Sequence, residues 1–159
     1  DYLTYVFIPA YALIYAPLLP WPWGLVAALF IALTGVVYFA DVRMKAEDNC
    51  FVGFPAIWNI IAYFIFAIEP ANWVTNAVVA VLIVLTFVPM PWVHPVRVKQ
   101  LRPLTLAGLA AYCGAVIYNV MYGFPAPGWL QAIILAVAIY GSGLAVLWWL
   151  RPPSAASDR

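Results

Sequence analysis

Residues 24–41 read GLVAALFIALTGVVYFAD, and residues 42–49 read VRMKAEDN. The first string runs from Gly24 to Ala40 without a charge, and a helix of about 20 such residues crosses a bilayer core. The second is a short loop of mixed charge. Outward from this pair the same alternation repeats, with apolar segments at 2–19, 54–68, 73–88, 104–122 and 128–150 separated by Pro, Gly or charged residues. Six spans of roughly 20 residues would fill about 120 positions of the 159 present. The expectation is an all-α polytopic integral membrane protein, a single helical membrane domain over 1–151 followed by a flexible cytoplasmic tail at 152–159. Composition agrees. Hydrophobic residues make up 67% and charged residues 8%, against about 25% charged in a soluble domain, and the mean hydropathy is +0.98. A soluble globular protein is excluded. A formal net charge of +1 leaves no basic face able to follow a phosphate backbone, so no nucleic-acid partner is expected. Cys50 and Cys113 match neither metal-ligand spacing nor a disulfide framework and read as free thiols.

The cations set the orientation. Arg43, Lys45, Arg97, Lys99 and Arg102 fall in the second and fourth connectors and Arg151 and Arg159 in the tail, while the connectors at 17–24, 69–72 and 123–128 hold no Lys or Arg. If the six segments alternate, every positive charge lies on one side, which the positive-inside rule makes cytoplasmic. The third segment is the shortest, and a shallow or re-entrant position there is the alternative to a full span. Rows of small residues, Ala107, Ala111 and Ala115, then Ala132 with Ala136 and Gly141 with Ala145, let helices approach closely. They suit packing within one chain or a homodimer interface.

Ionisable groups within apolar segments are few, and each asks for a reason. Asp1 leads the first segment with Tyr5 one helical turn below it, and Thr4, Ile8, Ala12 and Tyr15 share that face at 100° per residue. A helix N-cap or a first-turn acid stabilised by the helix dipole is one reading of Asp1, and a reacting carboxylate the other. The first charged loop ends Glu47-Asp48-Asn49-Cys50-Phe51-Val52-Gly53-Phe54-Pro55. It is either a solvated surface or a polar rim in which Lys45 or Arg43 pairs a phosphate and Glu47 or Asp48 faces a cation. Pro55 suits the first turn of the third helix. Trp58 and Asn59 follow it, Asn59 as an interhelical hydrogen bond or a site ligand. In the second charged loop the prolines stiffen a backbone carrying Arg97, Lys99 and Arg102. Arg97 and Arg102 suit bidentate phosphate recognition, although three cations also attract lipid head groups. His94 has no Ser or Cys constellation around it, which rules out triad chemistry. Trp21, Trp23, Trp73, Trp129, Trp148 and Trp149 sit near span ends and read as an interfacial belt. Tyr5, Tyr38, Phe39, Trp58, Tyr63 and Trp92 are expected in the cytoplasmic half, where aromatic faces could hold a quaternary ammonium by cation–π attraction.

Three strings, Asp1-Tyr2-Leu3-Thr4-Tyr5-Val6, then Glu47 through Pro55 with Ala56-Ile57-Trp58-Asn59, then Phe87-Val88-Pro89-Met90-Pro91-Trp92-Val93-His94-Pro95 with Arg97, Leu101, Arg102 and Pro103, resemble the bacterial choline-accepting branch of the CDP-alcohol phosphatidyltransferase family. The resemblance runs in order through about the first two thirds of the chain, and the last two spans match in hydropathy only. The family is marked by D-x-x-D-G-x-x-A-R followed by G-x-x-x-D-x-x-x-D, and Asp1 resembles its final Asp, the general base. The resemblance implies roughly 80 further residues upstream, two spans among them, so that the intact protein would have about eight. It implies that this stretch lacks most of the metal ligands and is inactive alone.

The implied reaction is transfer of the phosphatidyl group of CDP-diacylglycerol to choline, giving phosphatidylcholine and CMP, in a bacterial inner membrane with the site facing the cytoplasm. Asp1 is then catalytic and a ligand of a divalent metal, Mn²⁺ or Mg²⁺. Tyr5, Tyr38 and Trp58 are candidates for choline's trimethylammonium, with Glu47 as counter-charge and Asn59 as a further substrate ligand. Arg97 and Arg102 are candidates for lipid or diphosphate oxygens. Serine, glycerol phosphate or inositol acceptors remain the alternative within the family. Outside it stand a small transporter, which needs polar groups near the midplane of several spans, and a membrane scaffold.

Overall fold

Prolines and two short strands decide where the helices stop. The computed structural model describes residues 1–41, 50–93 and 101–150. Helix α1 covers Leu3–Tyr15, π-helical over Leu3–Phe7 and α-helical over Ile8–Tyr15. There follow α2 (Trp23–Ala40), α3 (Trp58–Ile68), α4 (Asn72–Leu85), α5 (Arg102–Tyr122) and α6 (Gly128–Leu150). The protein is an all-α membrane protein. Helices α2, α5 and α6 are long and apolar enough to cross a bilayer, whereas α1, α3 and α4 are shorter apolar helices. The 11 residues of α3 rise only about 16 Å at 1.5 Å per residue, so not every apolar segment became a helix of full crossing length.

Each shortfall has a local cause. The third segment was expected to be helical from 54, with Pro55 in the first turn, yet α3 begins at Trp58. The Phe54 N–H donates to the Leu85 carbonyl at 2.9 Å, Pro55 disfavours helical backbone at the residue before it, and Ala56 takes a positive φ of 52°. The chain is extended until it passes Pro55. Helix α1 stops at Tyr15 rather than 19, where the N–H groups of Leu18 and Leu19 both donate to the Leu13 carbonyl, at 3.0 and 3.1 Å. Helix α4 stops at Leu85, ahead of Pro89.

Strands β1 (Cys50–Val52) and β2 (Pro91–Val93) pair antiparallel, with Cys50 opposite Val93, Phe51 opposite Trp92 and Val52 opposite Pro91. This strap was not expected from the sequence. It ties the end of the first charged loop to the start of the second, and β2 packs on α6.

The main core joins α1, α2, α3 and α4 through Val6, Leu13, Ile31, Trp58, Ile65 and Val79, and Trp92 of the strap packs against it. A second cluster joins α3 to α5 and α6 through Ala67, Ala115, Ala126, Leu130 and Ile134, and the Ala126 N–H donates to the Ala67 carbonyl at 2.8 Å. Helix α3 is shared by both clusters. Among the small residues, Ala115 and Ala145 are buried within the chain, while Ala107, Ala132, Ala136 and Gly141 are exposed. Of the tryptophans expected at span ends, Trp21, Trp23, Trp73, Trp129 and Trp149 are exposed, as an interfacial belt requires. Trp148 departs from this and is buried.

Where α1 crosses α2, a Cβ built on Gly35 would lie 2.7 Å from Val6 Cγ1 and 3.3 Å from the Tyr2 ring. Tyr2 donates its hydroxyl to the Ala32 carbonyl at 3.0 Å across the same crossing. Gly35→Leu is expected to force the pair apart at a cost of about 1–3 kcal/mol, read as a lowered unfolding midpoint in detergent. An unchanged midpoint would show that the crossing can give way.

Candidate functional site

The first turn of α1, the last turn of α2, the start of α3, the end of α4, the strap and the start of α5 supply the candidate residues. Asp1 is exposed. Its main-chain oxygen accepts the Tyr5 N–H at 2.9 Å and the Thr4 hydroxyl at 3.2 Å, whereas no side chain caps the helix. Leu3–Phe7 is π-helical, a conformation that recurs at functional sites. Tyr5, 38% exposed, stands with Thr4, Ile8 and Tyr15 on the open face of α1, while Val6, Ala10 and Leu13 turn inward.

Two chains of rings link these elements. Tyr2 meets Phe39 edge-on at 6.5 Å between centroids, and Phe39 meets Tyr38 at 5.9 Å. In the other, Phe54 sits between Trp58 at 5.2 Å and Trp92 at 5.5 Å, again edge-on. Tyr38 and Trp58 share one buried cluster, at 7% and 1% exposure. Among the described residues no ring contact joins Tyr5, Tyr38 and Trp58 to one another. Tyr5 is thus an exposed ring, and the other two are wall residues.

Polar atoms here lack partners. Tyr38 Oη, Trp58 Nε1, Asn59 Oδ1 and Trp92 Nε1 are buried with no hydrogen bond among the described residues. An unpaired buried polar group costs roughly 1–3 kcal/mol, and these four lie on α2, α3 and the strap. Asn76 Oδ1 and Asn119 Oδ1 share that condition elsewhere. Arg102 is exposed at the first position of α5. Glu47 and Arg97 lie outside the described residues, as do Arg43, Lys45, Asp48, His94 and Lys99.

No three His, Cys, Asp or Glu among the described residues could hold a metal ion together. Asp1 offers one carboxylate, and a divalent ion would need further ligands. An apolar groove of about 530 Å³ runs between α2 and α4, bounded by Phe30, Leu33, Val37, Ile83, Phe87 and Val88.

Sequence reasoning placed Tyr63 with the aromatics near the charged loops, and the structure moves it. Its hydroxyl accepts from Asn119 Nδ2 at 2.9 Å, and its ring meets Tyr112 at 5.3 Å and Phe124 at 6.1 Å. It therefore ties α3 to the α5–α6 turn. Asn119, the strap and the π-helical start were all missed. Only the strap left a signal, in short β-prone strings, Cys50-Phe51-Val52 before Gly53 and Trp92-Val93 after Pro91.

Comparison with curated proteins bears on this arrangement. The phosphatidylcholine synthase of Rhizobium johnstonii is 38% identical over 140 residues, covering 88% of this chain and 58% of that protein. The chain is homologous to phosphatidylcholine synthases. The phosphatidylcholine synthase of Agrobacterium fabrum shows the same identity and coverage. That of Pseudomonas aeruginosa is 45% identical over 108 residues, 67% of this chain and 45% of the relative. The chain thus spans about half the length of the phosphatidylcholine synthases it matches. No family model matches the chain, and no solved structure does.

Proposed function

We propose that the protein to which this chain belongs is a membrane phosphatidyltransferase that moves the phosphatidyl group of CDP-diacylglycerol to choline, giving phosphatidylcholine and CMP. The observation that carries the reading is the identity of 38% over 88% of the chain with a protein named phosphatidylcholine synthase. In this reading Asp1 takes the proton of the choline hydroxyl as that oxygen forms its bond to the β-phosphorus, and the bond from phosphorus to the CMP oxygen breaks. Asp1 is exposed, which supports the assignment. A divalent cation, Mn²⁺ or Mg²⁺, belongs to the proposal as a requirement of the whole protein, with Asp1 supplying one of its ligands.

Tyr5 presents an open ring to the trimethylammonium, with Tyr38 and Trp58 shaping the wall behind it, Glu47 as counter-charge and Asn59 as a polar substrate contact. Arg102 and Arg97 take phosphate oxygens. An acyl chain fits the groove between α2 and α4, which opens sideways and is lined by apolar residues apart from Thr34. The site faces the cytoplasm of a bacterial inner membrane, the side on which every Lys and Arg falls if the segments alternate.

Two experiments test the reading. Membranes holding the protein are given CDP-diacylglycerol with choline, serine, glycerol phosphate or inositol in turn. Choline is expected to release CMP and the others not, and release with another acceptor in its place would replace the proposed substrate. Tyr5→Leu is then expected to raise the choline KM about two- to tenfold with kcat nearly unchanged, the loss of one cation–π contact. An unchanged KM would remove Tyr5 from the choline site.

A further inference from the structure

A left-handed residue opens α5, and a pair of hydroxyls links it to α6. Leu101 has φ 55° and ψ 16°, a backbone conformation that a branched L side chain adopts only when its surroundings impose it. Its carbonyl accepts two bonds from Thr105, the N–H at 2.9 Å and the hydroxyl at 3.1 Å. A threonine hydroxyl has one hydrogen, and here it is spent on Leu101. The contact of 2.8 Å between Thr105 Oγ1 and Tyr140 Oη is therefore a bond donated by Tyr140. The chain of donors runs Tyr140 to Thr105 to Leu101, from the middle of α6 to the residue just before Arg102. Tyr140 makes no other side-chain hydrogen bond among the described residues, and phenylalanine would fill its place without the donor.

We infer that Tyr140 is a positioning residue: through Thr105 it fixes the left-handed turn at Leu101, and with it the place from which Arg102 is presented. The dependence on Arg102 as a phosphate ligand rests on the proposed reaction. The mechanical part does not.

The test uses the whole protein in membrane vesicles and has two readouts. Trypsin cuts after Lys99 and Arg97, just ahead of Leu101, and after Arg43 and Lys45 in the other charged loop, while Pro103 protects the bond after Arg102. Tyr140→Phe and Thr105→Val are each expected to speed cleavage after Lys99 about three- to tenfold, the effect of one hydrogen bond within a membrane helix pair. Cleavage after Arg43 should not change, and Thr105→Ser, which keeps the hydroxyl, should cut at the original rate. Equal acceleration in both loops would mean general loosening, and no acceleration would mean that Leu101 is held without the relay; either result overturns the inference.

The second readout is kinetic. Tyr140→Phe should raise the KM for CDP-diacylglycerol with kcat kept, and adding it to Arg102→Gln should cost nothing further. Additive losses would separate Tyr140 from Arg102 and overturn the positioning role. If the unaltered protein releases no CMP with any acceptor, the proposed reaction fails by itself, and the cleavage pattern still decides whether the relay holds the turn.

Discussion

Replacing Asp1 by asparagine is expected to lower choline-dependent CMP release at least about a hundredfold, the scale on which a positioned general base acts, while the protein remains inserted at its normal level. Asparagine matches the shape of aspartate and cannot take up the choline proton. The helix start should survive, because the bonds from Tyr5 and Thr4 end on the main-chain oxygen of Asp1 and not on its carboxylate. The choline KM should change less than kcat. Retained turnover would remove Asp1 from the chemistry, and loss of the protein from the membrane would assign Asp1 to the fold.

Gly53→Ala should have a large effect on stability. Gly53 has a φ of 72°, and left-handed backbone costs an L residue about 1–2 kcal/mol. A Cβ there would also overlap the Thr86 carbonyl oxygen, a backbone atom that no rotamer can move aside. The residue sits where the strap docks, its N–H donating to the Met90 carbonyl at 3.0 Å and the next N–H to Leu85 at 2.9 Å. Relieving the overlap means lifting the strap from α4, so the total is expected near 3 kcal/mol. Gly108→Ala is the matched control, since nothing lies within 4 Å of its built Cβ and alanine favours a helix interior by about 1 kcal/mol. Unfolding in detergent should show Gly53→Ala strongly destabilised and Gly108→Ala unchanged or more stable. Equal tolerance at both positions would contradict the docking of the strap.

The contrast between these glycines shows which features the sequence makes legible. Periodicity and hydropathy mark apolar runs, and the run at 128–150 became α6 almost without revision because no proline interrupts it. At 54–68 the same reading failed, since a hydropathy window weighs Phe54, Ala56 and Ile57 like helical residues while Pro55, the bond from Phe54 to Leu85 and the left-handed Ala56 keep them out of the helix. The strap depends on pairing across 41 positions, Phe51 with Trp92, and no local pattern reveals such a partner. Asp1 and the two charged loops stood out because charge is costly in an apolar segment. Tyr63 was misplaced because an aromatic ring carries no such cost, so its neighbours are set by packing with Tyr112 and Phe124. The Tyr140 relay was hidden for a similar reason: nothing in the sequence shows that a tyrosine within an apolar run meets Thr105 on the neighbouring helix.

The most direct test of phosphatidyl transfer to choline is to follow labelled choline into lipid in membranes of a host that makes no phosphatidylcholine of its own, with CMP measured beside it. The account predicts phosphatidylcholine and CMP formed one for one, dependent on added CDP-diacylglycerol, stopped by a chelator of divalent metals and absent with Asp1→Asn. Labelled phosphatidylcholine formed equally by the Asp1→Asn protein, or CMP released without choline entering lipid, would contradict it.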